Sequence, residues 1–483
     1  MERETLLMIL LLRIHDLRQM AVSSPVHLRL AAMNVLRKWR RRAAAALIVV
    51  PFVPCTASAT TFAADRHSAI TPVNAYSPLT LGDAIRRALG NQPLVQEAKH
   101  RVTEKIALGK AAHANVLPSL SLAAGSIWTQ SRNGQPVFVA ANGAREVIGQ
   151  IQLNMPLYAP QAYALGALAS NQVAVARYQE RQAVLLVAAQ VTAAYYQLAL
   201  WDNELAVWRK ALAAAQELLA ATQKSYLAGT RSRLALTQAR LAASRARAGL
   251  EQAMPEGEAA SRVLALQTAY RPGTLPPLAT VTSPVAGLPQ EAVLTAQANR
   301  TQPLLLVADG EIQAARAMLQ YHEAARLPEV AANGIYGVDT VTAPDARNLG
   351  WQASLTLQMP IFGFGRNRDR IAAAQEHLAA LEEGKGALML QVHSRVAGDY
   401  GAAQAADSAL RNDRTMARES RAVYEMTRKG YLAGAVSALA MQQAENSWVQ
   451  VRLRLAGAAI RARLARAQLD LDSGILPDGE GKR

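Results

Sequence analysis

Residues 349–362 read LGWQASLTLQMPIF, and this stretch alternates between two kinds of side chain. One set of alternate positions is apolar: Leu349, Trp351, Ala353, Leu355, Leu357 and Met359. The positions between them are small or polar: Gly350, Gln352, Ser354, Thr356 and Gln358. Because successive side chains of a β-strand point to opposite faces, the pattern predicts a strand with one apolar and one polar face.

The same alternation occurs earlier in the chain, where residues 145–158 read REVIGQIQLNMPLY. Val147, Ile151, Leu153 and Met155 form its apolar side, and Ile148 is the one apolar residue on the polar side. A weaker alternating stretch precedes each strong one, with loop residues between them at Asn133-Gly134 and Asn142-Gly143. The sequence therefore predicts two strand hairpins, Leu117–Tyr158 and Leu327–Phe362.

Each predicted strand has about ten residues, and a membrane-spanning strand needs about 9–11. Its apolar face could meet lipid while its polar face meets water. The alternative is a soluble sandwich in which the apolar face packs into a core. Four strands leave two open edges, and an open edge cannot lie in hydrocarbon because its backbone groups find no partner there. The membrane interpretation therefore requires several chains to pool their strands.

The second half of the chain repeats the first. Gln92-Pro93-Leu94 recurs as Gln302-Pro303-Leu304, and Lys224-Ser-Tyr-Leu-Ala-Gly229 recurs as Lys429-Gly-Tyr-Leu-Ala-Gly434. Each half is predicted to form a helix, two strands and two helices. The first helix of each half is predicted around residues 82–115 and 290–326, and a proline ends it, Pro118 or Pro328.

The segment Gln161–Ala228 contains no proline and is rich in Ala, Leu, Gln and Arg. As one helix it would extend about 100 Å at about 1.5 Å per residue. Gly229 and Gly434 are predicted to end the long helices, since glycine readily adopts the left-handed conformation of a helix terminus. The fold class is therefore mainly α with a small β portion, built from two internal repeats.

Composition divides the chain further. The two repeats are predicted at 60–254 and 290–475, separated by a linker at 255–289 that is rich in Pro, Gly and Thr, and followed by a tail at 476–483.

Residues 1–59 are interpreted as a secretory signal, with 1–32 as a possible over-extension before Met33. Several arginines precede a short apolar run that ends in Ala57-Ser58-Ala59, a pattern typical of a cleaved leader. The sole cysteine, Cys55, lies in this segment, and the alternative is that it is lipidated. No later run of 18 apolar residues is present, so no spanning helix is expected.

Three motifs occur in both halves: a Leu-Pro entering a strand, a Met-Pro leaving one, and a Tyr-x-x-Gly helical tip. Together with the leader, these duplicated motifs resemble the TolC-like outer-membrane efflux proteins. The resemblance covers roughly residues 77–475. It implies a homotrimer in the bacterial outer membrane, in which four strands per chain are pooled into one transmembrane β-barrel and long helices form an α-helical barrel in the periplasm. It also implies a periplasmic adaptor (membrane fusion protein) and an inner-membrane pump as partners, and outer-membrane lipid around the barrel.

The resemblance assigns roles to individual residues. The adaptor-contacting helical tips would comprise Tyr226, Gly229, Thr230, Ser232, Tyr431, Gly434, Ala435 and Ser437. The strand–helix junctions would be marked by Pro118, Pro156, Pro328 and Pro360. The family often has an acidic residue shortly after each tip serine, where this chain has Ala235 and Ala440, so the resemblance does not extend to an acidic constriction ring at these positions.

Other function classes lack their sequence signals. The histidines are isolated, without metal-ligand spacing, and no nucleophile motif or dinucleotide loop is complete, so neither an enzyme nor a metal or cofactor site is predicted. Of the net charge of +16, residues 1–59 contribute +6 from nine Lys/Arg and three Asp/Glu. The remaining +10 is spread over helices without interleaved aromatic residues, which argues against nucleic-acid binding. The remaining alternative to an export channel is a non-transporting periplasmic coiled-coil scaffold or adaptor.

Overall fold

The computed structural model describes residues 77–133, 135–137, 145–271, 273–279, 287–340 and 349–477. All of them belong to one compact unit, Asn74–Arg483. The predicted signal segment with Cys55, together with Gly134, Asn142 and Gly143, lies outside the described residues.

The described residues form eight helices and six strands. The helices are α1 (Leu81–Asn91), α2 (Pro93–Ala114), α3 (Pro160–Leu227), α4 (Arg233–Gln267), α5 (Glu291–Thr301), α6 (Pro303–Ala324), α7 (Arg366–Leu432) and α8 (Ala438–Asp472). The strands are β1 (Ser119–Trp128), β2 (Ser131–Arg132), β3 (Gln135–Pro136), β4 (Arg145–Tyr158), β5 (Glu329–Thr340) and β6 (Gly350–Gln358). The mainly α fold with two repeats is confirmed, and the long helix predicted at 161–228 differs from α3 by one residue at each end.

The helix predicted at the start of each repeat is in fact two helices. Pro93 and Pro303 each occupy the first turn of a new helix, where a missing backbone N–H costs little. The glutamine before each proline has a structural role. The Gln92 side chain donates to the Gln267 carbonyl at 2.7 Å, and the Gln302 side chain donates to the Asp472 carbonyl at 2.9 Å. The duplicated Gln-Pro-Leu motif thus caps the C-terminal end of α4 in one repeat and of α8 in the other.

The four main strands form one antiparallel sheet in the order β1-β4-β5-β6. Each repeat supplies one strand pair, and β4 and β5 join the two pairs in the middle. The outer edges of β1 and β6 pair with no described strand. The sheet is therefore open at both sides, as the sequence predicted.

The long helices form a layer that is also open at both sides. Next to the strands, α3 packs between α2 and α6, and α6 packs against α7. Toward the far ends of the long helices, α3 packs between α4 and α8, and α8 packs against α7. Extensive contacts join α7 to neither α2 nor α4, so α7 is one border of the layer while α2 and α4 form the other.

By length and composition, one stretch of α3 could span a bilayer, contrary to the expectation from the sequence. Half of that stretch is buried inside the protein. Val187, Val191 and Tyr195, which are almost fully buried, pack there against α1, α4 and α8. The apolar stretch is thus the core of the helix layer.

The linker boundary predicted at residue 255 is wrong, because α4 continues through Pro255 to Gln267. The buried stripe Ala253, Gly257, Ala260 and Leu264 passes the proline without interruption. Packing of this stripe offsets the one backbone hydrogen bond that the proline removes. Beyond α4, Leu79 pairs with the linker, donating to the Pro277 carbonyl at 2.8 Å and accepting from the Ala279 N–H at 2.9 Å.

Candidate functional site

The helical tips are the turns that join α3 to α4 and α7 to α8. Both have the same backbone structure. Gly229 has φ of +73° and Gly434 has φ of +84°, the left-handed conformation predicted for both. In the first tip the Thr230 N–H donates to the Ser225 carbonyl at 2.9 Å, and in the second the Ala435 N–H donates to the Gly430 carbonyl at 2.9 Å. The duplicated sequence motif therefore encodes a duplicated turn.

The serine in each tip begins the returning helix. Ser232 Oγ accepts from the Ala235 N–H at 3.2 Å, and Ser437 Oγ accepts from the Ala440 N–H at 3.2 Å. A serine at this position satisfies a backbone N–H that the helix itself leaves unpaired. The two serines thus have a structural role in addition to the adaptor contact predicted for them.

The two tip tyrosines differ in exposure. Tyr226 is 37% exposed, whereas Tyr431 is 3% exposed and packs in the core between the hairpins. The Tyr431 hydroxyl lies 3.1 Å from Thr222 Oγ1, which donates to the Leu218 carbonyl at 2.8 Å. Placing the Tyr431 side chain among the surface contacts was therefore wrong for the single chain, because packing against the first hairpin covers it.

Four exposed leucines surround the tips and were missed in the sequence prediction. Two lie two residues before the tip glycine and two lie five residues after it: Leu227, Leu432, Leu234 and Leu439. Each pair recurs at the same spacing of 205 residues as the glycines, which was the available signal. Exposed leucines around a polar turn are typical of a surface that binds another protein.

The apolar side of the sheet is the second candidate site. The registers of the three strand pairs place its apolar residues on one face across all four strands: Leu120, Leu122, Trp128, Ile151, Leu153, Tyr336, Trp351, Leu355 and Leu357. Trp128 and Trp351 are each 80% exposed. The soluble-sandwich interpretation is therefore wrong, because the chain does not bury this face in its own core.

The opposite face of the sheet carries amide and hydroxyl groups. Asn154, Asn333 and Ser354 lie side by side in the register of β4, β5 and β6. The Asn154 amide donates to Asn333 Oδ1 at 2.9 Å, and the Asn333 amide donates to Thr356 Oγ1 at 3.1 Å. A sheet with one bare apolar face and one hydrogen-bonded polar face suits a wall between lipid and water.

Three of the four junction prolines lie outside the strands and one lies within. Pro118 and Pro328 directly precede β1 and β5, and Pro360 follows β6. Pro156, predicted to mark the end of its strand, instead lies inside β4 at an irregularity in the pairing with β5. The proline is tolerated because β1 pairs with β4 only as far as Asn154, so Pro156 has no partner on that side.

The described residues contain no group of three or more His, Cys, Asp or Glu arranged to hold a metal ion. Four open cavities of the described residues lie in grooves along the helices, and none of them encloses a constellation of nucleophile, base and acid. The geometry favours surfaces for lipid and for protein contact.

Comparison with known proteins agrees with these features. The family model described as "Outer membrane efflux protein" matches residues 84–270 and 294–474, one match for each repeat. No curated protein matches the chain significantly.

Several solved structures share the fold. The crystal structure of CusC, reported in connection with transmembrane channel formation, has a TM-score of 0.71 at 20% identity, covering 83% of this chain and 93% of CusC. The open-state MtrE outer membrane channel of Neisseria gonorrhoeae has a TM-score of 0.70 at 18% identity, covering 84% and 91%. The outer membrane protein VceC of Vibrio cholerae has a TM-score of 0.68 at 17% identity, covering 82% and 97%.

Proposed function

The chain belongs to the outer membrane efflux protein family, and from this premise we propose that three copies of it close into one duct across the outer membrane and the periplasm. The protein is an outer-membrane efflux channel subunit. The observation that carries the proposal is the sheet, which has a bare apolar face and an unpaired edge on each side. The bare apolar face is unfavourable in water, and the unpaired edges are not compatible with a single chain in lipid.

Each open border of the helix layer lies on the same side of the molecule as one open edge of the sheet. The β1 edge lies in the same border as α2 and α4, and the β6 edge lies in the same border as α7. If β6 of one copy pairs with β1 of the next, α7 meets α2 and α4 of that copy. This head-to-tail contact closes into a ring when a whole number of copies, each rotated equally from the last, completes one full turn.

Three copies fit the strand number best. Two copies would give eight strands, and a barrel of about eight strands is filled by its own side chains. Three copies give twelve strands and a wider interior. The polar face around Asn154 and Asn333 would then line the channel.

At the far end of the duct, the helical tips supply the surface for the periplasmic adaptor, which links the duct to an inner-membrane pump. The exposed residues Tyr226, Thr230 and Ala435, together with the four tip leucines, support this assignment. The substrate is passively conveyed, and no step of the proposal requires a catalytic group.

The proposed assembly is tested by membrane fractionation followed by mass measurement in a mild non-ionic detergent. We expect the protein in the outer-membrane fraction with the mass of three chains. Recovery as a soluble periplasmic monomer would contradict the proposal, and would favour the scaffold alternative, which needs no apolar sheet face.

A further inference from the structure

The groove between α7 and α8 is lined by five arginines. We call it the arginine groove. Its charged lining consists of Arg411, Arg414, Arg418, Arg421 and Arg452, and Thr415, Ala417, Trp448 and Leu455 complete it. The groove has a volume of about 700 Å³, and its four α7 arginines extend over about 15 Å of helix at about 1.5 Å per residue.

Most of these arginines have no carboxylate partner among the described residues. Arg421 pairs with Glu425 at 2.7 Å. Arg411 donates only to Ser408 Oγ at 2.8 Å, and Arg418 only to Thr415 Oγ1 at 3.2 Å. Arg414 and Arg452 form none of the ion pairs found in the described part of the chain. The groove therefore holds several guanidinium groups that form no ion pair with a carboxylate of the described residues.

The floor of the groove is apolar and aromatic. The Trp448 ring stacks on Tyr424 with their centroids 4.6 Å apart, and the Arg452 guanidinium carbon lies 5.2 Å from the Trp448 centroid. Ala417 and Leu455 are half-buried beside them. The groove thus combines an apolar floor with a cationic rim.

Placing several guanidinium groups in one groove is electrostatically unfavourable. Burial and the nearby Arg421 both lower the pKa of the Arg452 guanidinium. Like charges at this spacing repel one another, and the repulsion grows where water is partly excluded. An anion bound between the guanidinium groups would relieve it, and guanidinium groups bind carboxylate, sulfonate and phosphate oxygens in pairs of hydrogen bonds.

We propose that the arginine groove binds small amphiphilic anions, molecules with a compact apolar body and a carboxylate, sulfonate or phosphate group. The apolar body lies on Trp448 and Leu455, and the acid group is held by Arg414, Arg418 and Arg452. The groove is open along its length, so binding is weak and exchange is fast. We further infer that these anions are cargo of the duct. That inference rests on the proposed function, whereas their binding in the groove does not.

The binding is tested on the purified oligomer in non-ionic detergent with a photoreactive azidonaphthalenesulfonate. The neutral azidonaphthalene is the matched probe. After irradiation, labelled peptides are identified by mass spectrometry following digestion with a protease that does not cut at arginine. We expect the sulfonate to label residues 411–421 and 448–455 at least tenfold more than the neutral probe does.

Two variants separate the groove from general positive charge. Arg414→Gln with Arg418→Gln is expected to reduce groove labelling at least fivefold. Arg245→Gln with Arg247→Gln removes the same charge from exposed positions on α4 and is expected to leave labelling unchanged. In the unaltered protein, excess naphthalene-2-carboxylate should compete with the probe, and naphthalene-methanol should not.

Equal labelling by the neutral probe, equal loss in both double variants, or no competition by the carboxylate would each overturn the proposal. The proposal would also be overturned if an acidic partner segment blocked labelling in intact cells while the purified protein showed no affinity for the sulfonate. If the protein is not a trimer but its groove is still labelled, the proposed duct is contradicted and the groove is not. Loss of labelling in a protein that still forms trimers would count against the groove alone.

Discussion

The guanidinium carbon of Arg231 lies 4.2 Å from the centroid of the Tyr431 ring. Arg231 also donates to the Tyr431 backbone carbonyl, so the turn of the first hairpin is joined to the last helical turn of α7. The position equivalent to Arg231 in the second repeat is Val436, which can make no such contact in return. The two otherwise similar tips are therefore linked by a contact that only the first repeat supplies.

Replacing this arginine should loosen the second tip. Arg231→Ala removes a partly buried cation–π contact of about 1–2 kcal/mol and a hydrogen bond to the Tyr431 carbonyl. We expect faster amide hydrogen exchange in residues 425–440, measured by mass spectrometry. Arg233→Ala, an exposed neighbour on α4, is the control. Unchanged exchange in the Arg231 variant, or the same increase in the control, would show that the contact does not hold the tips together.

Charge on the apolar sheet face should prevent membrane assembly. Leu355 is 70% exposed on the face assigned to lipid, and Ser354 is its neighbour on the polar face. Leu355→Arg should cost about 2–4 kcal/mol if it lies near the bilayer midplane, and reduce the amount of protein in the outer membrane. Ser354→Arg should be tolerated. Quantitative fractionation measures both, and similar levels for the two variants would contradict the assignment of the faces.

Added bulk and charge at the second tip should abolish export without affecting assembly. Gly434→Glu also strains a backbone with φ of +84°, so Ala435→Glu is the companion variant at an exposed position. Both should lose export while still forming trimers, because the tips are proposed as the adaptor surface. Gly90→Glu on α1, a helix outside the proposed contact between copies and a position where an added side chain meets no neighbour, is the control. Full export by the Ala435 variant would remove the adaptor role from this tip.

The core between the two hairpins should respond to pH through Glu445, which is 6% exposed on α8. Burial raises the pKa of this carboxyl from 4.5 to about 6. The folded protein therefore keeps the proton where the unfolded chain releases it, and stability falls as the pH rises from about 4.5 to 6. The loss above that window is about 2 kcal/mol.

Glu445→Gln should accordingly raise the melting temperature at pH 7.5 and have little effect at pH 4.5. The exposed Glu419→Gln on α7 is the matched control and should change neither value. Thermal unfolding in detergent at both pH values provides the measurement. A uniform effect at both pH values would show that the Glu445 charge is not what limits stability.

Features governed by local periodicity could be predicted from the sequence. The alternation of residues 349–359 predicted β6 and its faces, and the run without proline from Gln161 predicted α3. The duplicated glycines predicted both tips because the left-handed backbone requirement is local. These features depend on neighbours along the chain, which a single sequence displays.

Features decided by packing could not be predicted in the same way. Pro255 indicated a linker because its missing N–H is a local property, whereas the buried stripe that carries α4 past it depends on contacts with α3. Tyr226 and Tyr431 have the same place in the repeated motif, yet only Tyr431 is covered by the other hairpin. A duplicated motif predicts the same backbone in both copies, but not the same surroundings.

The central claim is that the β6 edge of one copy pairs with the β1 edge of the next. Within one chain two strands separate these edges, a distance of about 14 Å at about 4.8 Å per strand, which is too far for a disulfide. Ser121→Cys on β1 is combined in turn with Gln352→Cys, Ser354→Cys and Thr356→Cys on β6, and each single variant is a control. After oxidation, denaturing electrophoresis should show a covalent ring of three chains for at least one pair and none for the single variants. Monomers alone for every pair, in protein recovered from the outer membrane, would contradict the account.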